Sequence, residues 1–120
     1  MAKILITDDS AFMRELIKDF IKEFGHDIYF AGSGDELLES YGEVRPDAVV
    51  LDIVLPGKDG VQTLRELKAK FPDAKVIMCS ALVEQKKFGD EALEAGAVVC
   101  IKKPFSGNEL MGAIDKCLNG

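Results

Sequence analysis

Ala48-Val49-Val50-Leu51-Asp52 is apolar for four positions, rich in β-branched side chains, and closes on a carboxylate. A run with no apolar/polar alternation suits a strand covered on both faces. Three other stretches repeat the pattern. Ile4-Leu5-Ile6 leads to Asp8-Asp9, Val76-Ile77-Met78-Cys79 closes on Ser80, and Val98-Val99-Cys100-Ile101 leads to Lys103-Pro104. Parallel strands whose carboxyl ends meet would gather three acids, a hydroxyl and an ammonium. That edge is where open α/β sheets keep their sites.

The segments between these runs read as helices. After the first strand, Ser10 is a candidate N-cap, and Phe12, Leu16, Ile17, Phe20, Ile21 and Phe24 fall on one helical face before Gly25. Asp27 to Ala31 is a more polar strand, which suits a sheet edge. Ser33 or Gly34 opens a helix with Leu37, Leu38 and Tyr41 inward, closed before Pro46. A third helix, about Val61 to Phe71, turns Val61, Leu64, Leu67 and Phe71 to the core after a loop of turn residues that ends in Asp59-Gly60. A fourth runs from about Val83 to Ala95, with Phe88, Ala92 and Leu93 inward and Gly89 loosening its start. The fifth strand spans Val98 to Lys102, and Leu110, Ala113, Ile114, Cys117 and Leu118 stripe the last helix. Five strands alternating with five helices require βαβ crossovers and a parallel sheet, so the fold class is a three-layer α/β domain.

At 120 residues the chain fits one domain spanning 1–120, with no output domain expected. A net charge of −6 disfavours nucleic acid and anionic membrane as partners. No apolar run suits a transmembrane helix, and Met1-Ala2-Lys3 enters a strand directly without a signal peptide's apolar stretch. The three cysteines lack metal-ligand spacing and read as buried reduced thiols in a cytoplasmic protein.

Adjacent acids near a third repel unless a cation neutralises them. An all-oxygen set with room for water suits Mg²⁺, with Mn²⁺ as a substitute. Asp8-Asp9 alone could equally cap a helix, but Asp52 has no such local role. A carboxylate beside a cation is a competent nucleophile toward phosphorus, provided the three non-bridging oxygens are neutralised and held. The metal, the Ser80 hydroxyl with the Ala81 backbone N–H, and the Lys103 ammonium could each take one. A cis Lys103-Pro104 bond would aim the lysine over the strand ends and costs about 0.5–1 kcal/mol. Base rates alone favour the trans bond.

Asp8-Asp9, Asp52 with Leu55-Pro56-x-x-Asp59-Gly60, Ser80-Ala81 and Lys103-Pro104-Phe105 together resemble the receiver domain of two-component response regulators. Asp9-Ser10-Ala11-Phe12-Met13-Arg14 and Ile77-Met78-Cys79-Ser80-Ala81 look most like stand-alone chemotaxis regulators of the CheY type. The resemblance implies a flavodoxin-like strand order 2-1-3-4-5 and a phosphoryl group accepted by Asp52 from a sensor histidine kinase. It further implies Mg²⁺ held by Asp8, Asp9, Asp52 and the Val54 backbone carbonyl. Phosphoryl oxygens would be bound by Ser80, Ala81 and Lys103, with Pro104 cis. Phosphorylation would draw Ser80 inward and reshape the face of the fourth helix, fifth strand and fifth helix. An output protein would dock there, with a flagellar switch component and a phosphatase among the candidate partners and the chain itself a monomer.

This sequence departs from the family pattern at three places. Cys100 occupies the switch position where an aromatic residue is usual, so an aromatic ring cannot turn inward behind Ser80. Val54 and Leu82 are apolar where the family tunes attack by water on the acyl phosphate. Gly89 sits in the fourth helix. A phosphorelay intermediate has the same fold and remains an alternative. A Mg²⁺-dependent aspartyl phosphohydrolase is disfavoured by Val54, which stands where its general acid would be. A pseudo-receiver is disfavoured by the complete set of acids.

Overall fold

The computed structural model describes residues 2–119 except Asp9, Val54, Pro56, Lys58, 81–85 and Pro104, and the side chains of Ser80, Lys86 and Phe88 also lie outside it. Five strands, β1 (Lys3–Thr7), β2 (Asp27–Ala31), β3 (Ala48–Asp52), β4 (Val76–Ser80) and β5 (Val99–Lys102), alternate with five helices. These are α1 (Ala11–Lys22), α2 (Gly34–Val44), α3 (Gly60–Lys70), α4 (Lys86–Glu94) and α5 (Gly107–Asn119). All strand pairings are parallel and the order is β2-β1-β3-β4-β5, as the resemblance implied. The more polar β2 does lie at an edge, where Tyr29 is exposed.

Both faces of the central strands are covered, which explains their uninterrupted apolar runs. On one face Leu5, Val49, Leu51 and Met78 pack with Leu37, Leu64, Leu67 and Ala92 of α2, α3 and α4. On the other, Ile4, Ile6, Val50 and Ile77 pack with Ile17 and Ile21 of α1 and Leu110 and Ile114 of α5. No described helix is long and apolar enough to cross a membrane.

Capping follows the local chemistry. Ser10 Oγ accepts from the Met13 N–H at 3.3 Å, and Ser33, rather than Gly34, caps α2 by accepting from the Glu36 N–H at 3.2 Å. Arg45 ends α2 in the left-handed region at φ 52°, and its guanidinium lies over the Phe71 ring, 4.7 Å from the centroid.

Several residues expected to face inward do not. Phe12 is 75% exposed and Phe24 55%. The inward row of α1 is Met13, Ile17, Phe20 and Ile21, one position away from Phe12, and Phe24 lies beyond the helix, which ends at Lys22. Leu93 and Leu118 are exposed for the same reason, since Ala92 and Cys117 hold the core positions beside them. The described part of α4 begins at Lys86, and the expected start at Val83 lies outside the described residues. Val98 precedes β5 and is exposed, although its N–H donates to the Val76 carbonyl at 2.8 Å.

Among the described residues, one buried side-chain polar group is unmatched. Thr7 is 1% exposed and its Oγ1 has no hydrogen-bond partner among the described residues. An orphaned buried hydroxyl costs stability. Thr7→Val keeps the shape and should raise stability by about 1 kcal/mol. The readout is a higher urea midpoint with an unchanged slope. A lower midpoint would show that the hydroxyl is satisfied in solution.

Candidate functional site

The sheet register brings the polar strand ends together. Thr7 of β1 is paired with Leu51 of β3, Asp52 with Cys79 of β4, and Ser80 with Lys102 of β5. Asp8, Asp52, Ser80 and Lys103 therefore lie along one edge of four adjacent strands. Asp8 is 1% exposed and Asp52 7%, so both carboxylates are withdrawn from bulk water.

Lys103 lies just past β5 and reaches across the strand ends. Its Nζ donates to Asp8 Oδ2 at 2.7 Å and to Asp52 Oδ2 at 2.8 Å. Asp8 Oδ1 accepts from the Ser10 N–H at 2.9 Å, which fixes this carboxylate at the start of α1. Burial alone would weaken the hold of Lys103 on its proton. Hydrogen bonds to Asp52 and Asp8, together with the Asp52 charge, outweigh burial and hold the lysine above its ordinary value. The side chain that could have been a solvated surface lysine is the ammonium shared by two buried acids.

This arrangement tests the fit for a metal. Two buried carboxylate oxygens lie close enough to share one cation, and both are hard donors. Such a set fits Mg²⁺ or Mn²⁺ better than a thiophilic ion. Asp9, the Val54 carbonyl, the Ala81 N–H, Leu82 and Pro104 lie outside the described residues, as does the Ser80 side chain.

Cys79 lies beside Asp52 in the sheet, whereas Cys100 and Cys117 lie away from the strand-end acids. Burial pushes the Cys79 thiol up to about 12 and the Cys117 thiol up to about 11, so both remain protonated at neutral pH. Cys100 is half-buried, packs against the α4 side of the core, and lies with its Sγ 3.9 Å from the Gly89 carbonyl oxygen. All three thiols are free.

Two residues of the β3–α3 connection have roles that the sequence reading missed. Asp59, read as a turn former, caps α3 by accepting from the Gln62 N–H at 2.8 Å. Gly60 is buried and its N–H donates to the Ile53 carbonyl at 2.5 Å, which presses the start of α3 onto the end of β3. An aspartate just before a helical pattern is a local capping signal. The Gly60 contact has no local signal.

The sequence matches the response regulator receiver domain family over residues 4–115. It is similar to chemotaxis protein CheY of Listeria monocytogenes, with 43% identity over 97% of this chain and 98% of that protein. Chemotaxis protein CheY of Bacillus subtilis is 42% identical over 98% of each chain. Among solved structures, the response regulator domain of Thermotoga maritima CheB superposes with a TM-score of 0.93 at 35% identity, covering 100% of this chain and 98% of that one.

Proposed function

We propose that this chain, which belongs to the response regulator receiver domain family, forms a single receiver domain over residues 1–120 and works as a phosphorylation-driven switch. The observation that carries the reading is the Lys103 ammonium bridging Asp8 and Asp52 at 2.7 and 2.8 Å. It joins the group that would bind a phosphoryl oxygen to the carboxylate that would accept it.

In this reading an Asp52 carboxylate oxygen attacks the phosphorus of a phosphohistidine on a sensor histidine kinase. The bond from phosphorus to the histidine nitrogen breaks, and an acyl phosphate forms on Asp52. Lys103 moves from the carboxylates toward a phosphoryl oxygen, while the Ser80 hydroxyl and Ala81 N–H hold another. Asp8, Asp9, Asp52 and the Val54 carbonyl would hold Mg²⁺, which supplies positive charge at the remaining oxygen and offsets repulsion among the acids. Preorganised charge of this kind lowers the barrier to phosphoryl transfer.

The signal would leave through α4, β5 and α5, where an output protein binds. The relatives named chemotaxis protein CheY support a chemotaxis role for that output. With Cys100 at the switch position, the change rests on Ser80 and residues 81–85. Communication needs contacts that differ between the two states. A thiol is small and serves chiefly to pack against α4, so Cys100→Ala should leave phosphorylation and partner binding nearly intact. Ser80→Ala should permit phosphorylation yet uncouple it from binding. Loss of signalling in Cys100→Ala with Ser80→Ala unaffected would assign the switch to Cys100.

Incubation with acetyl phosphate and Mg²⁺ tests the reading as a whole. A switch accumulates at most one phosphoryl group per chain and releases it slowly. A pseudo-receiver takes up none, and sustained release of phosphate from monoesters would identify a hydrolase. Onward transfer to a second histidine protein would instead identify a phosphorelay intermediate.

A further inference from the structure

Gly60 opens α3, yet its conformation does not demand glycine. Positive φ occurs among the described glycines at Gly25, Gly57 and Gly96, and Gly60 is not one of them. Alanine is the better helix residue at such a backbone. Space forbids it. A Cβ at Gly60 would overlap the Asp52 carbonyl oxygen, and would lie 2.6 Å from Ile53 Cα and 2.8 Å from the Asp52 carbonyl carbon. These are backbone atoms of the strand end that carries the site, so no flexible side chain can give way.

We infer that Gly60 is a positioning residue for Asp52: the absence of a side chain lets α3 seat against the Asp52 backbone and fixes where its carboxylate stands. Three contacts converge on this seat. The Gly60 N–H is bonded to the Ile53 carbonyl, Asp59 caps the helix beside it, and Thr63 Oγ1 donates to the Asp59 carbonyl at 2.9 Å. Thr63 is fully buried, so the clamp is anchored in the core. The carboxylate must meet an incoming phosphorus in line, and a misplacement of about 1 Å can cost about a hundredfold in rate. Gly60 itself touches neither donor nor phosphoryl group; it acts through the strand end.

This inference rests on Asp52 being the phosphoacceptor, and the test separates the two. Wild type, Gly60→Ala and Gly112→Ala are treated with acetyl phosphate and Mg²⁺ well below their melting temperatures, with rates expressed per folded molecule. A Cβ at Gly112 meets no atom within 4 Å, so that variant controls for alanine in a helix. Gly112→Ala should match wild type, whereas Gly60→Ala should be phosphorylated at least about tenfold more slowly and bind beryllofluoride more weakly. A Gly60→Ala rate equal to wild type, with only its melting temperature lowered, would make Gly60 purely structural and overturn the inference. If Gly60→Ala does not fold, Asp59→Ala loosens the same seat without adding bulk and should also slow phosphorylation. A wild-type rate there would overturn the inference equally. Absence of phosphorylation on wild-type Asp52 would instead overturn the functional reading.

Discussion

Asp52→Asn should abolish the response to phosphodonors while leaving the fold in place. The amide has nearly the shape of the carboxylate but lacks the charged oxygen that, in the proposed reading, would attack phosphorus. Lys103 keeps its second acid, because the bond to Asp8 at 2.7 Å does not depend on Asp52. The variant should therefore unfold cooperatively, yet show no amide shifts when beryllofluoride and Mg²⁺ are added. Wild-type protein should show them around the strand ends and along β5. Persisting shifts of wild-type size in Asp52→Asn would move the acceptor elsewhere.

The second large effect is expected at Lys103. Replacing it with methionine keeps the apolar stem and removes the ammonium that Asp8 and Asp52 share. Asp8 is 1% exposed and Asp52 7%, so water can do little to replace it. Removing one partner of a buried pair leaves uncompensated charge, and the expected loss is about 3 kcal/mol at neutral pH without divalent cations. Urea unfolding measures this. Millimolar Mg²⁺ should recover part of the loss, because a cation at the two carboxylates replaces the missing charge and binds only the folded state. Phosphorylation should slow by about a hundredfold or more, as when one preorganised donor to a developing charge is removed. An unchanged urea midpoint together with an unchanged rate would show that the bridge contributes neither to stability nor to chemistry.

The sheet was legible because burial on both faces leaves an unmistakable residue pattern. Val49 and Val50 are neighbours facing opposite helical layers, yet both are fully covered, and only apolar residues tolerate that at successive positions. The strand ends were legible because an acid after such a run has no packing reason to be there. Helix faces were read less accurately. Leu93 and Leu118 each sit one position from a buried neighbour and Phe12 one position from the partly buried Met13, a rotation of about 100° on a helix, and an apolar side chain can occupy the margin of the buried stripe without being covered.

What stayed hidden depends on distance in space rather than on local pattern. Lys103 and Asp8 are 95 residues apart, and as a single residue the lysine resembled any surface cation. The glycine of Asp59-Gly60 was recognised as part of a motif, but its physical reason lies in the approach of α3 to the Asp52 carbonyl, which only the folded backbone reveals. The unmatched Thr7 hydroxyl is likewise invisible in sequence, since a threonine in a strand is ordinary.

In the proposed reading, Asp52 is the phosphoacceptor of a Mg²⁺-dependent switch. The most direct test is peptide-mapping mass spectrometry of the wild-type chain after treatment with acetyl phosphate, with Mg²⁺ and with a chelator in its place. The expected result is one base-labile phosphoryl group on Asp52, formed with Mg²⁺ and lost when the metal is chelated. An unmodified Asp52 in the presence of Mg²⁺, or a phosphoryl group on another residue, would contradict it.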